Sequence, residues 1–274
     1  MRSACGALFR LLSQCDPTYA RWFEQANSLK KALQLRFEPT YETLLRFFKS
    51  RKYNEGAFGV SFSAWTGHEE DGHGGSVMLS CGSAVTPPPN NCLLYLPDEG
   101  PGAERVLTAS VLTEMMRAMV LAWEPDDGGV YSQAYQELRD EPVGPPHMGW
   151  LMYFSRNRGE VPPLPEPVRT APVEDKGTLV ILTPERFNGH DPAHVALADQ
   201  VRGLLDGAGL LTELQLSRSP AARLPSLPSS KPSTWASAPV GLPSGAPCRC
   251  TTSRSAPSSS PSSPISTTPR SPRS

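Results

Sequence analysis

The sequence predicts a single α+β domain, in which a largely antiparallel sheet packs against helices, followed by a disordered C-terminal tail. Three observations predict this class. Residues 58–96 alternate apolar with small polar residues in short runs, which is typical of a β-meander. Segments on both sides of it repeat apolar residues at helical spacing. Residues 217–274 hold 18 Ser and 12 Pro without apolar periodicity, so they cannot bury enough surface to offset the entropy of ordering.

Four helices are predicted ahead of the meander. Capping residues mark the starts of the last three: Asp16 followed by Pro17, then Ser28, then Thr40. The apolar stripes are Ala4, Leu8, Leu11, Leu12 and Cys15; Tyr19, Trp22, Phe23 and Ala26; and Tyr41, Leu44, Leu45 and Phe48. We expect these helices to bury their aromatic faces against the meander. The first helix starts almost at Met1 without a cap, so we expect an upstream segment to be missing.

The meander itself is predicted to have one apolar face and one small polar face. The predicted buried residues of its first strand are Phe58, Val60, Phe62 and Ala64. Its first turn is an acidic, Gly-rich segment at residues 66–75. Trp65 stands at the base of this turn, on the otherwise small and polar face.

The longest predicted helix follows, between Thr108 and Pro125. Its apolar residues keep helical spacing over more than four turns, and Pro125 ends the pattern. The stripe includes Met115, Met116 and Met119. We interpret these side chains as part of the core rather than as a ligand groove, because Met fills irregular gaps.

The second half of the domain alternates strands with a final helix. The sequence predicts a short strand at Val130, a short helix to Leu138, strands at residues 149–154, 168–173 and 178–183, and a helix that starts at Asp191 and Pro192. Gly177 is expected to supply the positive φ of the hairpin turn between the last two strands. The residues expected to face inward from the last helix are Leu197, Val201, Leu204 and Ala208.

Charge is unevenly distributed along the chain. The net charge is −1, but residues 217–274 hold seven basic and no acidic residues, which leaves 19 basic and 27 acidic residues in the 1–216 domain. An acidic domain argues against sequence-independent nucleic-acid binding, since such binding depends on a basic surface.

Targeting and cysteine patterns favour a cytoplasmic protein. The sequence has no secretory signal and no run of roughly 20 apolar residues, so we expect no membrane association. The six cysteines have no metal-binding spacing, which favours reduced thiols. Cys81 and Cys92 fall on adjacent predicted strands, so a disulfide between them is the alternative.

The acidic turn contains several residues of metal-ligating types: His68, Glu69, Glu70, Asp71 and His73. Its glycines and the lack of a second ligand cluster favour a solvated turn over a metal site. A metal-dependent hydrolase using His68, Asp71 and His73 is the alternative. The sequence has no nucleophile elbow, P-loop or dinucleotide-binding motif. We therefore predict that the chain is not an enzyme and needs no cofactor.

The tail, residues 217–274, has three interpretations. It is a disordered basic segment, or an adaptor that works through its Pro-rich sequence, or the product of a frameshift that replaced the natural C-terminus. We favour the frameshift as a hypothesis, because the composition changes in one step after Leu216.

Eight segments of the chain carry a resemblance. They read LLSQCDPTYARWFEQANSLKKAL, FEPTYETL, FGVSFSAWTG, SVMLSCG, CLLYLP, VLTEMMRAMVLAWEPD, GWLMYF and VPPLPEPVRTAPVEDKGTLVILTPERF. From about Leu8 to Leu211 they resemble the immunity protein 52 family of bacterial polymorphic toxin systems. The resemblance implies an α+β fold and a cytoplasmic antitoxin that binds and neutralises a cognate toxin domain. Neighbours of the family imply a nuclease of restriction-endonuclease-like fold. The family's N-terminal strand has no counterpart here, and the tail has none in the family.

A nuclease inhibitor needs no reaction of its own, but it needs a surface that blocks a basic, phosphate-binding cleft. Acidic side chains steer such encounters and compete with nucleic acid. The candidate toxin-binding residues are therefore Trp65, Glu69, Glu70 and Asp71, since an aromatic anchor beside charges is typical of an energetic centre. A solvated turn without a binding role is the alternative.

Overall fold

Ten strands form one antiparallel sheet in the computed structural model, which describes residues 2–82, 90–139, 146–212 and 248–252. In chain order the strands are β1 (Trp22–Glu24), β2 (Arg36–Phe37), β3 (Val60–Trp65), β4 (Ser76–Cys81), β5 (Asn91–Tyr95), β6 (Asp127–Ser132), β7 (Leu151–Ser155), β8 (Arg169–Val173), β9 (Gly177–Ile181) and β10 (Cys248–Thr252). Their order across the sheet is β2-β1-β3-β4-β5-β10-β6-β7-β9-β8.

Helices pack against this sheet, which confirms the predicted α+β class. The helices are α1 (Arg2–Cys15), α2 (Leu29–Ala32), α3 (Tyr41–Lys49), α4 (Gly100–Val106), α5 (Ala109–Trp123), α6 (Gln133–Arg139) and α7 (Pro192–Gly207). Short 3-10 helices lie at Pro17–Ala20, Gly56–Phe58 and Arg156–Arg158. Helix α1 contacts α3 and α5, and α5 contacts β6 and β7. The long crossover from β5 to β6 therefore runs over the sheet through α4 and α5.

The meander is confirmed as β3, β4 and β5, and its buried face receives the N-terminal helices. Val60, Phe62 and Ala64 are buried, and the residues between them are partly exposed. Phe62 is fully buried and lies in ring contact with Phe37, Phe47, Phe48 and Tyr53, at centroid distances of 5.0–6.0 Å. This aromatic cluster joins α3 and β2 to the first strand of the meander.

The segment after Asp16 is not the helix that the sequence predicts. The Asp16 side chain does cap a turn, accepting a hydrogen bond from the Thr18 amide at 2.8 Å, but the helix is a 3-10 turn that ends at Ala20. Strand β1 follows, with Trp22 against Phe9 and Phe23 against Trp65. Adjacent residues of a strand point to opposite faces, so both rings can be buried; a helix cannot separate neighbours in this way.

Two aromatic residues predicted to be buried are exposed. Phe58 is 61% exposed, because the turn that ends at Gly59, with φ 88°, delays the start of the strand to Val60. Tyr41 is 49% exposed, and Phe47 joins Leu44 and Phe48 in the buried stripe of α3. Both elements keep the predicted type of periodicity. Strand β3, however, begins at Val60 instead of Phe58, and the buried face of α3 is rotated toward Phe47.

Helix α5 is the best-predicted element. Thr108 caps it, its side chain accepting from the Val111 amide at 3.4 Å. Met115, Met116 and Met119 are completely buried, which confirms that the methionine stripe belongs to the core. Trp22 and Trp150 are each 1% exposed, and Trp123 is partly buried against the core.

Two local predictions in the second half of the domain are corrected, and helix α4 begins at Gly100 in a segment for which no helix is predicted. The buried residues of α7 are Ala198, Val201 and Leu205, so its inward face is shifted from the predicted stripe, and Leu204 is 39% exposed. The positive φ of the β8–β9 turn belongs to Glu174 rather than Gly177. Gly177 instead allows close approach, since a Cβ there would lie 2.2 Å from the Phe154 carbonyl oxygen.

The cysteines of the domain are thiols in buried or partly buried positions. Cys5, Cys15, Cys81 and Cys92 form no disulfide with one another. Burial raises the pKa of the Cys5 thiol to about 12 and that of Cys15 to about 11. Strand β10 lies inside the segment that the sequence predicts to be disordered; residues 213–247 and 253–274 lie outside the described residues.

Candidate functional site

The predicted binding turn connects β3 to β4 at one end of the meander. Trp65 is the last residue of β3, and residues 66–75 lead to β4 at Ser76. Glu69, Glu70 and Asp71 are all exposed at the tip. The structure therefore brings the three predicted carboxylates together on one surface.

Backbone hydrogen bonds fix the conformation of this turn. At its base, the Thr66 amide donates to the Gly75 carbonyl oxygen and the Gly75 amide donates to Thr66 Oγ1, both at 2.9 Å. At its tip, the Gly72 carbonyl oxygen accepts from the amides of Asp98 and Glu99, at 2.9 and 3.1 Å. The acidic turn is thus attached to the segment that follows β5.

Two glycines make this attachment possible. Gly72 has φ +75°, and a Cβ there would lie 2.6 Å from Asp98 Oδ1. Gly100 has φ +69°, and a Cβ there would lie 2.6 Å from His73 Cε1. A side chain at either position would be both strained and obstructed. The Glu70 carboxylate lies 2.9 Å from His73 Nδ1, so the packed imidazole also orients one of the exposed carboxylates.

Two further carboxylates, Asp98 and Glu99, join the three predicted ones. They follow β5, and the antiparallel pairing of β4 with β5 places the end of β5 beside the start of β4. The predicted meander already implies that the two segments are neighbours, because the turn after β3 and the chain that leaves β5 lie at the same end of an antiparallel sheet. Burial, with the neighbouring Glu99 carboxylate, raises the pKa of Asp98. Five acidic residues therefore lie on the two segments that meet at the Gly72 backbone.

Trp65 is oriented toward β1. Its ring lies 5.9 Å from that of Phe23, and its Nε1 donates to the Glu24 carbonyl oxygen at 3.4 Å. The Phe23 ring in turn lies over Gly67, where a Cβ would be 2.3 Å from Phe23 Cε2. Trp65 is partly exposed and Phe23 is buried beneath it, so Trp65 forms a neighbouring surface that connects to the turn through Phe23 and Gly67.

The arrangement favours electrostatic binding over metal chemistry. Across the described ranges, no group of three His, Cys, Asp or Glu side chains is placed to hold a metal ion. His73 packs beneath Gly100 and pairs with Glu70, while burial and the charge of Arg21 lower the pKa of His68. The turn presents fixed negative charge, and a positively charged surface is the ligand that such an arrangement attracts.

Comparison with known proteins adds one match. A family model described as Immunity protein 52 matches residues 2–214. No curated protein matches the chain. Among the described helices, none alone is long and apolar enough to cross a membrane; α4 and α5 satisfy that test only when joined, and they are bent by 78°.

Proposed function

Because the chain belongs to the immunity protein 52 family, we propose that it binds a cognate toxin of a bacterial polymorphic toxin system in the cytoplasm and neutralises it. The toxin is a nuclease of restriction-endonuclease-like fold, and the bound chain occludes its active site. The family match supports the immunity role. The acidic turn on a rigid support supports the choice of a toxin with a basic cleft.

The mechanism is competition for the phosphate-binding cleft. A nuclease active site presents cationic groups to the substrate backbone, and a cluster of carboxylates complements those groups. Glu69, Asp71 and Glu99 are exposed, and Glu70 is oriented by His73. Because the turn is held by hydrogen bonds to its neighbours, little conformational entropy is lost when it docks.

Trp65, supported by the buried Phe23 ring, supplies the apolar part of the interface. Charges at the edge of an interface mainly increase the association rate, while a desolvated aromatic residue lowers the dissociation rate. Trp65 is suited to this role, since it is partly exposed and its indole N–H already has an acceptor in the Glu24 carbonyl. The partner can therefore cover the ring without leaving its N–H unpaired.

Reversal of the three predicted charges tests the site. In surface plasmon resonance, a variant with Glu69→Lys, Glu70→Lys and Asp71→Lys is expected to bind the toxin at least about tenfold more weakly. It should associate more slowly because steering is lost, and dissociate faster because the new lysines repel the cationic groups of the cleft. The matched control reverses three exposed carboxylates at Glu160, Glu166 and Asp175, on the other half of the domain. Equal kinetics for the two triple variants would remove the turn from the interface.

Growth rescue tests the immunity function separately. Co-expression of the chain with the toxin encoded beside it should restore growth of the host, and the acidic-turn variant should restore it less. A toxin whose lethality is unaffected by the wild-type chain would contradict the proposed function, whatever the interface. A neighbouring toxin without nuclease activity would contradict the proposed target.

A further inference from the structure

Strand β10 occupies an internal position in the sheet, between β5 and β6. It is antiparallel to both. Cys250 stands opposite Leu94 on one side and opposite Val130 on the other. Leu94 and Val130 are at most 1% exposed, so the position lies over the centre of the core.

The two flanking strands require an inserted strand. On their other edges, β5 already pairs with β4, and β6 pairs with β7. The remaining N–H and C=O groups of β5 and β6 face each other across the width of one strand. Buried backbone groups without partners are strongly disfavoured, so an extended segment in this space is needed to join the two halves of the sheet. Recognition of that segment depends largely on backbone hydrogen bonds.

The strand that fills the space is joined to the rest of the domain by a long connection. Arg158 fixes the point of departure: it donates to the carbonyl oxygens of Leu210 and Thr212, and it pairs with Asp127 at the start of β6. Strand β10 begins opposite Ser132, at the far end of β6. The connection must therefore cover about the length of β6, roughly 20 Å. Residues 213–247 could span at most about 120 Å.

We propose that the space between β5 and β6 is a strand-binding site that can also accept residues 248–252 of a second copy of this chain, which gives a strand-exchanged dimer. At full extension residues 213–247 are several times longer than the span that they must cover, so their length permits the strand to reach a second copy. The dimer repeats the backbone pairing of the monomer, and the two forms differ mainly in the entropy of linkage. A strand that is linked to its own domain is present there at an effective concentration in the millimolar range. Exchange of strands between two copies therefore becomes appreciable when the protein concentration approaches this value.

Refolding at two concentrations tests the proposal. The full chain is refolded from denaturant with a reducing agent, so that no disulfide contributes, at about 10 μM and about 1 mM, and its mass is measured by light scattering after size exclusion. We expect monomer at the lower concentration and a substantial dimer fraction at the higher one. The dimer should persist after dilution, because the strand must leave an internal position of the sheet. Monomer alone at both concentrations would overturn the proposal.

Two controls establish that the strand causes dimerisation. Cys250→Pro removes an N–H from the centre of β10 and should abolish the dimer, whereas Ser255→Pro, outside the strand, should not. If the Cys250→Pro chain does not fold, a synthetic peptide of residues 246–254 added in excess to the refolding wild-type chain provides the second measurement. It should reduce the dimer fraction and co-elute with the monomer, and the same peptide with Cys250→Pro should do neither. A dimer that is insensitive to this peptide would overturn the proposal, because it would use another surface.

Discussion

Gly72 determines how the acidic turn is presented. Its carbonyl oxygen accepts hydrogen bonds from the amides of Asp98 and Glu99, which follow β5. With its positive φ, the tip of the acidic turn lies against Asp98. An alanine at this position would combine an unfavourable backbone conformation with a close contact to the Asp98 side chain. The contact between the two acidic segments thus depends on a residue that carries no side chain.

Gly72→Ala is therefore expected to lower the free energy of unfolding by about 1–3 kcal/mol. Gly203→Ala is the matched control, since Gly203 lies within α7 and a Cβ there would meet nothing within 4 Å. That change should leave stability unchanged or increase it by up to about 1 kcal/mol. Urea unfolding of both variants checks the prediction, which fails if the two have the same effect.

For single residues, the sequence predicts exposure better than it predicts the orientation of a side chain. Glu69, Glu70 and Asp71 are exposed on one turn, as the Gly-rich composition indicates. The contact of Trp65 with β1 cannot be predicted, because the apolar spacing around its partner Phe23 predicts a helix there. Burial of a single aromatic residue depends on which element opposes it, and a linear pattern does not contain that information.

Helix α4 is held to the end of α1 by one ion pair. Arg105 Nε donates to Asp16 Oδ2 at 3.1 Å, and Arg105 Nη2 donates to Thr18 Oγ1 at 3.3 Å. Burial of Asp16 acts to raise its pKa, but the hydrogen bonds from Arg105 and Thr18 outweigh burial and lower the pKa below its usual value. The ionised carboxylate is therefore the form that the folded state prefers.

This preference predicts a pH-dependent effect of Asp16→Asn. The stability that Asp16 contributes is present above its unfolded pKa of about 3.9 and is lost as the pH falls through the lower folded value. Asparagine keeps the oxygen that caps Thr18, so the variant should lose about 1 kcal/mol at pH 6 and nearly nothing near pH 2. Urea unfolding of the variant and the wild-type chain between about pH 2 and about pH 6 measures this difference in the free energy of unfolding.

The control is Glu160→Gln at an exposed position, which should change the free energy of unfolding by less than about 0.5 kcal/mol at pH 6. A deficit of Asp16→Asn that is independent of pH would contradict the assignment.

Elements with strong periodicity were predictable, and short ones were not. Helix α5 repeats its apolar residues over 15 residues, so its pattern is unambiguous. Strands β1 and β2 have three and two residues, too few to show alternation, and the aromatic residues of β1 also fit a helical stripe. Such short strands are specified by the strands beside them, which a local pattern does not reveal.

At the scale of the whole molecule, negative charge dominates the domain. Residues 1–216 hold 27 acidic against 19 basic residues. Because part of the excess is concentrated at the end of the meander, the field there should accelerate approach of a basic partner. Salt screens this field, and the screening length is about 8 Å at physiological ionic strength.

The association rate with the toxin should therefore fall by about tenfold or more between 0.05 and 0.5 M NaCl. The variant with Glu69, Glu70 and Asp71 reversed should show a weaker salt dependence, since its local field is reduced. Stopped-flow measurement of both chains at several salt concentrations checks this. An association rate of the wild-type chain that does not change with salt would argue against electrostatic steering.

The fold class could be predicted from the order of elements, but the strand order could not. The sequence indicates a meander, a helix and a second group of strands, all of which are present. The position of β10 between the two groups depends on pairing across more than 100 residues, and its sequence, CRCTT, has little apolar character. Nonlocal pairing is decided by vacant hydrogen-bonding edges, which appear only after the rest of the sheet is assembled.

The internal position of β10 also affects synthesis. When β6 leaves the ribosome, the 115 residues 133–247 must still be translated before β10 follows. At 5–20 residues per second this takes roughly 6–23 s. During that interval the facing edges of β5 and β6 lack their partner strand. Unpaired strand edges promote misfolding and aggregation of nascent chains. Slower translation of this region would lengthen the exposure, so yield of the folded protein should depend on codon choice within residues 133–247.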